Sequence, residues 1–404
     1  MWRQGQRRDG VILSGGGAYA AYEVGVMKAL FRGLSPAIGG RPVTPQVVAG
    51  TSAGAFNATL LADRFERGAP AAVEEMERVW LEKVANDAAR CANGVYRWRA
   101  NLLNFFDLRC FLADPARFVA ERLEDTLFLA RSAVERTAAF FASSAAIEVR
   151  FLELLDLSNA ISTAPFPLLI DGVIDFGRVR SSALAVQVTA TNWRTGALRL
   201  FTNQDMTDAA GSLIVRASSA IPGIFPPVDI PPDVFIDGGV LLNTPLAPAI
   251  AAGATDLYVI YLDPDISRIP IADLATTVGT LQRTFAISWA ARVNEDIAHA
   301  TRINRGLAVL AKLAQEGVAE AEAEPRLREL TEVVATIRAR RAAGRPLRPL
   351  VIHRFHPPEL LGDAFGMLDF DRRMLERLIE QGYRDALAHD CSTEQCVSAE
   401  GLAA

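Results

Sequence analysis

The first pattern along the chain is an apolar run, Gly10-Val11-Ile12-Leu13, that stops at a cluster of glycines. A short run bounded this way predicts a buried strand. Beyond it, Val24, Met27, Ala29, Leu30 and Phe31 recur at helical spacing, and Gly33 and Pro36 end that helix. Pro45-Gln46-Val47-Val48-Ala49 predicts a second strand, and Ala53 to Ala62 a second helix. Strand alternating with helix implies a parallel sheet with crossover helices. Further on, Ala183 to Ala190 reads as a strand that pairs with Ala197 to Phe201 through the turn Arg194-Thr195-Gly196. Val234-Phe235-Ile236 runs into Asp237, and Asp256 to Leu262 is one more apolar strand.

Two stretches break this rhythm. Residues 70–150 are helical in pattern with clustered charge, which predicts a helical cap or insertion over 85–180. From 271 to 345 the pattern is helical and Ala-rich, interrupted at Pro325. Leu327, Leu330, Val334 and Ile337 share one face of its second part. Val351-Ile352 reads as a late strand and Leu368 to His389 as a final amphipathic helix. No internal repeat or long linker divides the chain. The expected organisation is one main domain over 1–270 with a helical C-terminal extension, 271–404, packed on it.

Composition changes this picture little. Of 404 residues, 50% are hydrophobic and 22% charged, ordinary for a globular protein. The net charge of −5 gives no global basic field for nucleic acid or an anionic membrane. Met1 to Asp9 is polar, and the apolar run after it is too short for a signal-peptide core. No run approaches the ~18 apolar residues that a bilayer requires. The expected location is cytoplasmic, with peripheral membrane contact left open. Cys91, Cys110, Cys391 and Cys396 read as free thiols in a reducing compartment, with a Cys391–Cys396 bridge as the lesser alternative. Cys391 and Cys396 lack CxxC spacing and are read without a histidine partner, so no metal and no cofactor is expected.

Chemistry concentrates at three strand ends. Ser14-Gly15-Gly16-Gly17 follows the first strand and can supply backbone N–H donors for an oxyanion. Gly50-Thr51-Ser52-Ala53-Gly54 has the G-x-S-x-G pattern between strand and helix. Gly50 and Gly54 would leave the Ser52 hydroxyl exposed on a sharp elbow at a helix N-terminus. Asp237-Gly238-Gly239 presents a carboxylate beside glycines that allow close approach; alone it also reads as an ordinary turn aspartate. Gly15, Gly17 and Ala20 also fit the dinucleotide fingerprint. That fingerprint needs an acidic residue ~20 positions on, and none lies between Glu23 and Asp63, so no nucleotide is expected.

A serine nucleophile needs a base. The histidines, His299, His353, His356 and His389, all lie late in the chain with no motif around them. Asp237 can take the proton itself. A Ser-His-Asp esterase and a catalytically silent lipid-binding scaffold stay as alternatives.

Together these segments resemble the patatin-like phospholipase family. The resemblance rests on Ser14 to Gly17, Gly50 to Ala55 and Asp237 to Gly239. It extends to Ala217-Ser218-Ser219-Ala220-Ile221-Pro222 with Phe225-Pro226-Pro227-Val228, and to Val240-Leu241-Leu242-Asn243-Thr244-Pro245-Leu246. It covers about residues 9–265. The resemblance implies a three-layer α/β/α fold with a mostly parallel sheet, and hydrolysis of acyl esters in lipids through a Ser–Asp dyad without a metal. By position it implies Ser52 as nucleophile, Asp237 as its base, and Gly15, Gly16 and Gly17 as the oxyanion loop, with Gly238 and Gly239 in support. Where the family's loop carries a basic residue, this chain has Tyr19 and then Ala20. A neutral head group therefore becomes more plausible as substrate. Val95-Tyr96-Arg97-Trp98-Arg99 with Leu102-Leu103-Asn104-Phe105-Phe106 fits either a lipid-interface segment or a cap packed on the sheet.

Overall fold

The computed structural model describes residues 7–86, 92–99, 111–112, 114–142, 161–263, 277–316, 331–344, 347–362 and 366–398. Strand β1 (Asp9–Leu13) enters a 3-10 turn (Gly17–Ala20) and helix α1 (Ala21–Phe31). Then come β2 (Val47–Thr51), α2 (Ala53–Arg64) and α3 (Ala69–Val79). The cap contributes β3 (Arg97–Trp98), α4 (Pro115–Ala142), β4 (Ile161–Ser162), α5 (Pro165–Val173) and α6 (Phe176–Ser181). The chain continues through β5 (Ala185–Asn192), β6 (Leu198–Thr202), α7 (Gly211–Ser218), β7 (Val228–Ile230) and β8 (Asp233–Asp237). It ends with α8 (Leu246–Ala251), β9 (Asp256–Ile260), α9 (Thr277–Glu316), α10 (Thr331–Ala342), β10 (Val351–Phe355) and α11 (Arg372–Leu387).

The main sheet has 8 strands in the order β10-β9-β1-β2-β5-β8-β7, with β6 on β5. The run β10 to β5 is parallel, and β6, β7 and β8 add antiparallel pairings. The period-two pleat decides which face each residue serves. Val11, Leu13, Val48, Tyr258 and Ile260 pack in the core that holds α1, α2 and α11. Ile12, Val47, Ala49, Leu257 and Val259 pack in the opposite core with α8 and α9. Apolar residues on both faces give the continuous hydrophobic runs read in the sequence, and the result is the expected three-layer α/β/α arrangement.

One edge of β5 is shared, and this positions the site. Ala185 to Thr189 pair with β2, ending at Thr51↔Thr189. Ala190 to Asn192 pair with β8, beginning at Ala190↔Asp237. Strand β6 occupies the other edge. The residue after Thr51 and the last residue of β8 therefore meet at one place in the sheet.

The C-terminal part differs from the helical extension expected over 271–404. Strand β10 joins β9 in parallel and forms the sheet's edge, so the boundary at 270 cuts through one sheet. The cap also departs from a purely helical reading, because β3 and β4 pair antiparallel across its long excursion. Tyr96 is buried and donates its hydroxyl to Leu368 O at 2.6 Å, and buried Arg97 pairs with Asp125. This half of the aromatic stretch packs as cap, and only Trp98 is exposed. Leu102 to Phe106 lie outside the described residues. Among the described residues no helix is long and apolar enough to cross a membrane.

Candidate active site

Ser52 has φ 56° and ψ −125°, a conformation L-residues rarely adopt and which costs about 1–3 kcal/mol. Several bonds hold it there. Ser52 N–H donates to Ser218 Oγ at 2.9 Å. Its carbonyl accepts from the Ala55 and Phe56 amides at 2.9 and 3.2 Å, the start of α2. Thr51 Oγ1 donates to Leu242 O at 2.9 Å and lies 2.6 Å from Thr189 Oγ1. The elbow also needs its glycines: a Cβ on Gly54 would lie 2.6 Å from Leu13 O, and one on Gly50 would overlap the Gly54 carbonyl. The serine sits at the mouth of the turn, with the N-terminal end of α2 behind it.

Asp237 is fixed by the neighbouring backbone. Its N–H donates to Ala220 O at 2.9 Å, and its carbonyl accepts from Thr191 Oγ1 at 3.0 Å. Carboxylate Oδ1 accepts from Gly239 N–H at 2.7 Å. Oδ2 is buried and makes no close hydrogen bond, although the Ser52 side chain is near enough to temper its acidity. Burial pushes the carboxyl up to about 7, against the smaller pull of Ser52 and the Gly239 amide. Trp289 of α9 donates to Gly239 O at 2.6 Å, so the late helices also brace this turn.

The glycine loop divides its labour differently from the expectation. Gly15 N–H donates to Asn243 O at 3.3 Å, and Asn243 Nδ2 returns a bond to Gly15 O at 3.2 Å. Gly15 is therefore a fastening point. Its lack of a side chain is used for approach, since a Cβ there would lie 2.8 Å from Ser52 Cβ. The amides of Gly16 and Gly17 donate to no protein group among the described residues. Ser14 anchors the loop's base through Thr244 Oγ1 (2.8 Å) and Ile260 O (2.9 Å).

Tyr19 is buried and does not line the cleft. Its hydroxyl packs where a Cβ on Gly362 would lie 2.5 Å away, against the segment leading to the Gly366–Leu368 turn. It braces the roof of the site at the position where the family's loop carries a basic residue. Beneath α1 a second polar group was missed. Glu23 is fully buried and accepts from Asn57 Nδ2 at 2.8 Å, while Asn57 Nδ2 also reaches Ala20 O (3.0 Å) and Trp80 Nε1 reaches Asn57 Oδ1 (2.8 Å). Burial holds the Glu23 carboxyl well above its usual range. Glu23 entered the sequence argument only as the limit of an acid-free stretch. Ser218 and Asn243 lay in stretches already marked by resemblance, but nothing local told what they bind.

A cleft of about 500 Å³, mouth included, opens over Ser52. Phe56, Trp80, Val84, Phe166, Phe225, Leu368 and Phe370 wall it, and Ser52 and Ser219 are its polar points. Its enclosed part is narrow, about 40 Å³, so an acyl chain entering must part side chains. Among the described residues no histidine lines it.

A strained serine at a strand-to-helix elbow, a buried carboxyl and two loop amides with no protein acceptor among the described residues thus come together beside an apolar slot. Residues 11–250, more than half the chain, match the family model for patatin-like phospholipase, and the chain belongs to that family. Among solved structures the chain is similar to VipD from Legionella pneumophila, with 13% identity and a TM-score of 0.35 over 95% of this chain and 66% of that one. No curated protein sequence matches the chain.

Proposed function

We propose that this protein is a serine carboxylic ester hydrolase that cleaves lipid acyl esters through a Ser52–Asp237 dyad and an acyl-enzyme. The carrying observation is the shared edge of β5, which sets the strained Ser52 beside a carboxyl whose Oδ2 is left unpaired. Ser52 Oγ attacks the ester carbonyl carbon as Asp237 Oδ2 takes its proton. The Gly16 and Gly17 amides and the N-terminus of α2 bear the negative oxygen. The tetrahedral centre collapses, and Asp237 returns the proton to the departing alkoxide. Water then attacks the acyl-enzyme with Asp237 again as base, and Ser52 is released. No metal or cofactor takes part in this cycle. The apolar walls take the acyl chain and keep bulk water from the reacting carbonyl.

Lipid reaches the cleft at a surface. On α4, Val119, Leu123, Leu127 and Val134 are exposed at intervals that place them on one stripe. We place the lipid contact there, and Leu123→Glu with Leu127→Glu should lower the ratio of vesicle to soluble-ester hydrolysis. An unchanged ratio would remove the stripe from the proposal.

The dyad is tested by intact mass after a fluorophosphonate probe, together with hydrolysis of a neutral and an anionic phospholipid. A single adduct on wild type, absent from Ser52→Ala and slow on Asp237→Asn, is expected. Activity lost on replacing one of the histidines would instead mean a Ser-His-Asp enzyme. Lipid binding with no Ser52-dependent turnover would mean a silent scaffold.

A further inference from the structure

Away from the cleft, the edge of the sheet gathers residues that the sequence reading kept apart. His353 lies in the middle of β10, opposite Tyr258 of β9. His389 follows α11, and Cys391 and Cys396 lie in the turn after it. His389 stands two residues before Cys391. The reading of these thiols without a histidine partner is therefore corrected twice, by the neighbouring residue and by the strand.

Cys391 Sγ lies 3.4 Å from His353 Nδ1 and 3.4 Å from His389 Nε2, and Cys396 Sγ lies 3.3 Å from the same His389 nitrogen. All four ligand atoms fall within 4.8 Å of one another, and both thiols are free. Hydrogen bonding alone does not account for this. One ring nitrogen carries either one proton or one lone pair, so His389 Nε2 can satisfy only one of its two sulfurs. A central cation satisfies all the contacts at once. With zinc–sulfur bonds of ~2.3 Å and zinc–nitrogen bonds of ~2.05 Å, a tetrahedron has sulfur–nitrogen edges of about 3.5 Å.

The surroundings hold the donors in place. The His353 ring stacks on Tyr258 with centroids 5.3 Å apart, and the His389 ring packs on Phe355 at 4.3 Å. Cys396 N–H donates to Cys391 O at 3.0 Å, closing the loop, and Gln395 takes a left-handed φ of 51° within it. Ile352 and Val397 exchange two backbone bonds of 2.8 Å, so the tail lies along the edge strand beside the cluster.

We propose that His353, His389, Cys391 and Cys396 form a structural zinc site that fastens the C-terminal segment to the edge of the sheet. Four protein donors leave no open position, which suits a structural centre. Binding releases the two thiol protons to solvent and leaves zinc held by two thiolates and two neutral imidazoles. The centre adds to the backbone bonds between Ile352 and Val397 that already cover the edge of strand β10.

The test uses the full chain, purified under reducing conditions without chelator. Elemental analysis should find about one zinc per chain. Cys91→Ser with Cys110→Ser should keep it, and Cys391→Ser with Cys396→Ser should lose it. Cobalt put in place of zinc should give the strong visible bands of a tetrahedral thiolate site, a readout that needs no variant to fold. A folded wild-type chain with no more zinc than the Cys391/Cys396 variant would overturn the proposal. So would octahedral cobalt without thiolate charge transfer, or a Cys391–Cys396 disulfide found in the protein as purified.

Discussion

The mouth of the cleft and the far edge of the sheet are both built at strands, yet they differ in how chemistry is written into the chain. At the cleft, each proposed reacting group stands at the end of its own strand, and strain or close approach demands glycine at a fixed distance. At the edge, four donors come from the middle of a strand, the end of a helix and a turn, and no single stretch of sequence contains them all. The first site is strained and holds an unpaired carboxylate oxygen. The second also holds a left-handed residue, Gln395, but its four donor atoms face one another. A site that performs a reaction keeps something unsatisfied; a site that holds a fold satisfies everything it gathers.

The sharpest break in this comparison is Ser52→Ala. Loss of the nucleophile should lower kcat by about 10⁴–10⁶, measured on a soluble ester. Zinc content should not move, because β9 and β1 stand between β10 and β2. A Ser52→Ala protein that keeps its turnover would place the chemistry elsewhere.

Asp237→Asn comes next, with a fall of about 10³–10⁴ in kcat/KM. The carboxyl sits at about 7 because it is buried. As the base it must be ionised, so wild-type kcat/KM should rise with pH through about 7. The variant's residual rate should lack that limb. Stability should run the opposite way. The folded chain holds this proton above the pH at which the unfolded chain, with its ordinary aspartate, has lost it. The contribution of Asp237 is therefore complete below about pH 4 and falls as pH rises towards 7. Asp237→Asn should thus gain thermal stability over wild type at pH 8 and not at pH 4. Equal differences at both would mean the carboxyl is not held protonated by burial.

Asn243→Ala tests the corrected role of Gly15. It removes the Nδ2 bond to Gly15 O and leaves the backbone bond from Gly15 N–H in place. The loop should loosen without losing the Gly16 and Gly17 donors, costing about ten-fold in kcat with little change in KM. A loss as large as that for Asp237→Asn would make Asn243 part of the reacting set.

How much was legible follows the same division. The core strands and the three-layer arrangement were readable because strands buried on both faces must be apolar without interruption, as Val11 to Leu13 and Leu257 to Ile260 are. Ser52 and its glycines were readable because a tight elbow tolerates few residues. Asn243 was not, since its bond to Gly15 spans most of the chain and depends on how β8 returns to β5. Strand β10 was visible as an apolar pair, Val351-Ile352, but not its place in the sheet, which β9 alone determines. Tyr19 was visible as a departure from a family pattern. Its packing under the Gly366–Leu368 turn was not, because that turn lies far along the chain.

The smallest effect joins the two regions directly. The segment from Gly366 to Phe370 roofs the cleft, and α11 then carries the chain to His389. A zinc-held tail would steady α11 at its C-terminal end while the roof is set at its N-terminal end, where Asp371 caps the helix through the Arg373 and Met374 amides. Chelation should therefore lower the melting temperature by on the order of 5 °C, the size expected when a few kcal/mol of ligand linkage is withdrawn from a large domain. The rate of fluorophosphonate labelling at 25 °C should change little, because the roof is also fixed from the cap by Tyr96 on Leu368 O and from the loop by Tyr19. A labelling rate that collapses on chelation, with far-UV circular dichroism unchanged, would show that the edge of the sheet controls the cleft. The two regions would then be one device, and the division between reacting and holding sites would fail for this protein.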